Sequence, residues 1–254
     1  MTTPVIELKN VSIAFDSESL LRDISLEIKK GESFVLIGPS GNGKTVLLKL
    51  LAGLLKPTDG QVRVEGQDLN AISQDSQLEL QLKMGMLFQK NALFDSLTCG
   101  ENIAFPLREV TAHPEEEIER RVVYFLEQVG LSHARDLFPD EISGGMQKRL
   151  GIARALALDP EIVLYDDPTA GLDPITSRRI VELIMNLKAK RKSTVVAITN
   201  DMARAYQMAD RIGMVVDGEL MICGNKEQTL QHKDPRVAQF IRGSLHGPLT
   251  EPNS

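Results

Sequence analysis

An α/β fold is predicted: a β-rich part that carries a glycine loop, with a helical part inserted into it. Three observations predict it. Gly38-Pro39-Ser40-Gly41-Asn42-Gly43-Lys44-Thr45 reads G-x-x-x-x-G-K-T between an apolar run, Phe34-Val35-Leu36-Ile37, and leucines at helical spacing. From Glu161 onward, short continuous apolar runs alternate with helical patterns, which gives a parallel sheet covered by helices. The stretch from about Ser73 to Asp159 is more helical, and no low-complexity linker flanks it. It therefore reads as an insertion, not as a neighbour on a string.

From the N-terminus, Val11, Ile13 and Phe15 alternate, as do Ile24, Leu26 and Ile28, and later Val62 and Val64; period two predicts strands. Gly31-Glu32 and Asp59-Gly60 punctuate them as turns. After the glycine loop, Leu47, Leu48, Leu50, Leu51, Leu54 and Leu55 mark a helix. Pro114 with Glu115, Glu116 and Glu117 opens another, because the positive helix start favours acidic side chains. Ile118, Val122, Val123, Phe125, Leu126 and Val129 continue it, and Gly130 ends it. Ile162–Tyr165 and Thr194–Ile198 are strands. Asp173 caps a helix with Pro174 at its first position, Asp201 opens a further helix, and Asp217-Gly218 is a hairpin turn.

The glycine loop carries the first chemistry. Gly38, Gly41 and Gly43, with Ser40 between them, let backbone N–H groups close on phosphate oxygens. The following helix points its positive end at the same place. Lys44 reaches the β- and γ-phosphates of a nucleotide, and Thr45 can hold Mg²⁺. Ile142-Ser143-Gly144-Gly145-Met146-Gln147 is a second anion site: Ser143 caps a helix whose first turn exposes backbone N–H groups at two glycines. Asp166 ends the strand Ile162–Tyr165, where an aspartate in a P-loop protein orients Mg²⁺.

Together Gly38–Thr45, Gln89, Ser143–Gln147, Asp166 and Gly171-Leu172-Asp173 resemble the Walker A, Q-loop, signature, Walker B and D-loop motifs of ATP-binding-cassette (ABC) ATPases. The resemblance covers nearly the whole chain. It implies a P-loop ABC ATPase cassette over residues 1–254, with a β-rich ATP-binding subdomain, an inserted α-helical subdomain at about 90–160 and a C-terminal extension at about 225–254. It implies ATP and Mg²⁺ as cofactors, with Thr45, Gln89 and Asp166 around the metal. Asp173 and the signature residues Ser143, Gly144 and Gly145 then meet the nucleotide of a second copy in a head-to-tail dimer. Phe15, where the family often has tyrosine, either stacks on adenine or is an inward strand residue.

A narrower similarity lies in Gly85–Gln89, Ala92–Leu97, Glu101–Glu109, Leu172–Thr176 and the tail Asp234–Gly243 with Gly247-Pro248. These segments are similar to the ATPases of lipid transport systems built around MCE-domain proteins. That likeness implies phospholipid transport through a separate integral-membrane permease, with an MCE-domain protein reached through it. It also implies a small regulatory subunit at the C-terminal extension, and a peripheral place on the cytoplasmic face of the inner membrane. Other ABC importers share parts of the segments, and a slow-turnover soluble regulatory ATPase is the further alternative.

Two positions depart from the family pattern. Asp167 stands where glutamate usually polarises the attacking water, and Asn200 where histidine contacts the γ-phosphate. Aspartate is shorter by one methylene, and asparagine donates a hydrogen bond but carries no charge. The expected result is a slower working ATPase; a nucleotide-binding site that hydrolyses poorly, or a co-adjusted pair with ordinary turnover, are the alternatives.

Composition bounds the rest. Of the 254 residues 42% are apolar and 25% charged, ordinary for a globular chain. The formal net charge of −6 argues against a nucleic-acid partner, which needs a basic face. No apolar run approaches the ~18–20 residues that span a bilayer, and no signal peptide is read at the start. Cys99 and Cys223 match no metal spacing and read as reduced thiols.

Overall fold

A computed structural model describes residues 3–16 and 18–251. In chain order the elements are β1 (Ile6–Phe15), β2 (Glu18–Ile28), β3 (Ser33–Ile37), α1 (Lys44–Leu51), β4 (Asp59–Val64), β5 (Gln67–Asp68), α2 (Gln74–Leu82), β6 (Met84–Leu87), α3 (Cys99–Val110), α4 (Glu115–Gln128), α5 (Gly144–Leu156), β7 (Ile162–Asp166), α6 (Pro174–Arg191), β8 (Thr194–Ile198), α7 (Met202–Met208), β9 (Arg211–Val216), β10 (Glu219–Gly224), α8 (Lys226–Leu230) and α9 (Pro235–Arg242). They fall into two compact units, Met1–Leu78 with Thr194–Ser254, and Glu79–Ser193.

In the first unit β1 pairs antiparallel with both β2 and β4, and β5 completes that sheet. Strand β3 runs parallel to β8 on one side and β9 on the other, and all five of its residues are buried. A strand covered on both faces reads as a continuous apolar run, as Phe34–Ile37 does. Asp217 and Gly218 both take positive φ, 52° and 79°, and turn β9 into β10; such two-residue turns match the twist of a hairpin. The register of β1 against β2 shifts at Leu8/Val11, Val11/Ile13 and Ile13/Ala14. Bulges break the alternation, so Val11 and Ile13 are buried while Phe15 is 47% exposed.

In the second unit β6 and β7 are parallel, with Met84 opposite Ile162 and Leu87 opposite Tyr165. A Cβ at Gly85 would lie 2.0 Å from the carbonyl oxygen of Ala155, so glycine lets α5 lie against β6. Helix α3 begins in a capping box in which Thr98 and Glu101 exchange hydrogen bonds, and α6 has Asp173 as N-cap with Pro174 at its first position. Both cysteines are buried.

Three local expectations are corrected. Helix α1 stops at Leu51, so Leu54 and Leu55 lie beyond it; Gly53, at φ 66°, takes the left-handed turn that ends it. Asp59 and Gly60 begin β4 instead of forming a turn: Asp59 pairs with Ser12. The stretch from Ser73 to Asp159 contains strand β6, too short to show a period of its own.

Candidate functional site

In the first unit, Gly43 takes φ 87° as the residue before α1 and offers no side-chain cap to the first turn of the helix. Gly38, at φ 135°, allows a close approach: a Cβ there would lie 2.2 Å from the carbonyl oxygen of Val215. Asn42 Oδ1 accepts from the Asp217 N–H at 3.0 Å and fixes the loop to the β9–β10 turn. Lys44 is 7% exposed, and its Nζ donates to the carbonyls of Gly38 (2.7 Å) and Pro39 (2.8 Å). The ammonium closes the loop with carbonyl acceptors that a phosphate can replace. A hollow of about 220 Å³ lies at Gly41, Gly43, Lys44, Thr45, Val46 and Leu20. Ser40 is exposed, and neither it nor Phe15 lines the hollow. Asn200 is exposed just after buried Thr199, and Asp201 caps α7 by accepting from the N–H groups of Ala203 and Arg204.

In the second unit, Ser143 Oγ accepts from the Met146 N–H at 3.3 Å, and Gln147 Nε2 donates to the Pro139 carbonyl at 2.7 Å. A Cβ at Gly144 would meet nothing within 4 Å. A cleft of about 720 Å³ brings Ser143, Gly144 and Gly145 together with Gly171 and Asp173. The Asp173 carboxylate accepts from the Ile175 and Thr176 N–H groups, and hydrogen bonds from Thr176 hold its carboxyl below the usual range.

Asp166 is 4% exposed at the end of β7. Asp167, half-buried, has φ 47°, in the left-handed region that aspartate tolerates better than most residues. Gln89 has an exposed side chain and a backbone carbonyl held at 2.5 Å by Lys148 Nζ. Burial lowers the Lys148 pKa, and the charges of Asp167 and Asp166 oppose that shift. Thr45, Gln89 and Asp166 each carry a side-chain oxygen, the donor type a hard cation such as Mg²⁺ requires.

The segment after Gln89 is shaped by two side chains absent from the sequence reading. Arg154 donates to the carbonyls of Asn91 (2.9 Å) and Ala92 (2.7 Å), which both have positive φ. Buried Asn102 holds the N–H and carbonyl of Phe94 and the carbonyls of Leu97 and Thr98. Phe94 and Phe105 are thereby presented as an exposed pair with ring centroids 4.6 Å apart. Ile103 belongs to the core. Lys148, Gly151 and Arg154 recur every three residues on one face of α5, a spacing that marks a shared face but not what it packs against.

Residues 21–170 match the family model described as ABC transporter. The chain belongs to the ABC transporter ATP-binding family. The cassette is 39% identical over 98% of its length to the intermembrane phospholipid transport system ATP-binding protein MlaF of Haemophilus influenzae, covering 94% of that protein. It is 42% identical over 96% of its length to the probable ribonucleotide transport ATP-binding protein mkl of Mycobacterium leprae, covering 70% of it. The dimeric ATP-binding cassette MJ0796, solved in a post-hydrolysis state with ADP and Pi, superposes with a TM-score of 0.78 at 35% identity, over 85% of this chain and 96% of that one. The cassette is an ATP-binding, ATP-hydrolysing subunit. Among the described residues no helix is long and apolar enough to cross a membrane.

Proposed function

We propose that this cassette drives phospholipid transport through a separate membrane permease, in a complex that includes an MCE-domain protein and a small regulatory subunit at residues 225–254. The observation that supports the substrate is likeness to phospholipid transport ATP-binding proteins, at 39% identity over 98% of this chain for one from Haemophilus influenzae and 35% over 96% for one from Escherichia coli. We assign the cassette to the cytoplasmic face of the inner membrane. The exposed pair Phe94 and Phe105 is the permease contact in this reading, with Asp95 and Ser96 as cross-linking positions.

The working unit is a head-to-tail dimer, acting as one cassette over 1–254 with its helical subdomain at 90–160. The chain holds one P-loop and one signature motif, and the open space at Gly144 supports a partner there. Lys44 and the glycines of its loop take the phosphates, and Thr45, Gln89 and Asp166 take Mg²⁺, which neutralises phosphate charge when bound. Asp167 orients the attacking water with a shortened arm, Asn200 donates a neutral hydrogen bond, and turnover is slow. Phe15, exposed at the end of β1, offers its ring to adenine.

The test is reconstitution with a candidate permease and MCE-domain protein from the same organism, in proteoliposomes carrying fluorescent phospholipid. ATP-dependent phospholipid transfer that Lys44→Ala abolishes is expected. ATP-dependent movement of a labelled ribonucleotide, with phospholipid static, overturns the assignment.

A further inference from the structure

We infer that Lys148 is a positioning residue for hydrolysis, a buried cation that ties the signature helix to the backbone of Gln89. It rests on the roles proposed above for Gln89 and Asp167.

A lysine on the fifth residue of α5 needs a reason to be inside. Its residue is 4% exposed, and a buried ammonium is unfavourable unless hydrogen-bonded and offset by negative charge. Both conditions are met from within the same unit. The Gln89 carbonyl takes one N–H at 2.5 Å. Among the described residues no other hydrogen bond to the ammonium is made, and the charges of Asp167 and Asp166 act on it.

The backbone around Gln89 needs such a tether. Asn91 and Ala92 are consecutive residues with φ 59° and 52°, and alanine has no side chain to favour that conformation. Backbone held in sparsely populated regions persists where its surroundings fix it. Arg154 fixes Asn91 and Ala92, one turn and a half further along α5, and Lys148 fixes Gln89. Between the two cations Gly151 leaves room for the loop: a Cβ there would lie 2.6 Å from Leu87 Cδ1 and 3.5 Å from Asn91 Cβ. One face of the signature helix thus sets where the Gln89 side chain starts, and the same ammonium sits in the field of the residue assigned to water.

The experiment compares wild type, Lys148→Met, Lys148→Arg and Asp167→Asn in the full chain. Lys148→Met matches the length of the side chain and removes donor and charge. It is expected to lower kcat of phosphate release by about 10- to 100-fold, the scale of a displacement of about 1 Å, with KM for ATP within about two-fold. Hydrogen exchange at the amides of residues 88–92 should accelerate while exchange in β3 stays at the wild-type rate, so a general loss of fold is recognised separately. Lys148→Arg, which keeps donor and charge, should restore most of kcat and the slow exchange. Unchanged kcat in Lys148→Met, or unchanged exchange at 88–92, overturns the proposal. A parallel rise in KM with equal loss of kcat/KM in the methionine and arginine variants does so too, since that is what mere packing would give. Asp167→Asn separates the two levels: if it retains full turnover, the assignment of the hydrolytic carboxylate fails; if it is inactive while Lys148→Met is normal, only the role of Lys148 fails.

Discussion

Asp167→Glu sets two magnitudes against each other. The added methylene advances the carboxylate by roughly 1–1.5 Å, and a displacement of about 1 Å in a reacting group is worth on the order of 10²-fold in rate. That corresponds to about 2.7 kcal/mol at ~1.36 kcal/mol per tenfold. Against it stands the backbone, because residue 167 has φ 47°. The left-handed conformation disfavours ordinary L-residues by roughly 1–2 kcal/mol, and aspartate less than most, so the exchange should cost about 1 kcal/mol. This strain is present before and during the reaction, so it appears in stability and not in the barrier. Turnover should rise about 10- to 100-fold while Tm falls by about 2–4 °C. Steady-state phosphate release at saturating Mg-ATP and a thermal melt with matched nucleotide measure both. A flat or lower kcat in Asp167→Glu, recovered only when Asn200→His is added, would refute the reach argument. It would show instead that the two positions act as a unit. An unchanged Tm would refute the backbone part alone.

Lys44→Ala removes the ammonium that now holds the Gly38 and Pro39 carbonyls; ATP affinity in an equilibrium titration should drop by at least 100-fold, and retention within a few-fold would count against the phosphate assignment. Ser143→Arg fills the open edge of the signature turn and should block the ATP-dependent sedimentation shift from monomer to dimer, with monomer nucleotide affinity kept; a dimer that forms without ATP and ignores the substitution argues against head-to-tail pairing. Acid should weaken the start of α6. The Asp173 carboxyl is lowered in the folded chain, so its contribution is present above the unfolded pKa of about 4 and fades as pH falls through the lower folded value. Asn caps helices nearly as well, so Asp173→Asn should melt within about 2 °C of wild type at pH 7 and lose less on going from pH 5 to pH 3; identical acid profiles would refute the linkage.

What was legible in the sequence was local. A glycine loop between apolar strand and leucine helix, a capped glycine pair, and an aspartate before proline each announce themselves within a few residues, and Ser143, Asp173 and Asp201 do cap their helices. What was not legible depends on neighbours distant in sequence. Phe15 leaves the buried face because the β1 register slips against β2, which no period in β1 reveals. Lys148 reads as a surface charge until Gln89, 59 positions earlier, is found at its ammonium. Glycines divide the same way. Gly38 is explained inside the chain, by the Val215 carbonyl 2.2 Å from where its Cβ would be. Gly144 is not: it opens α5, and beyond its neighbours and its own helix backbone nothing lies within 4 Å of where its Cβ would be. Open space at the first turn of a capped helix, which no side chain of the described residues fills, is the physical reason to expect the signature turn to be completed by a second copy and its nucleotide.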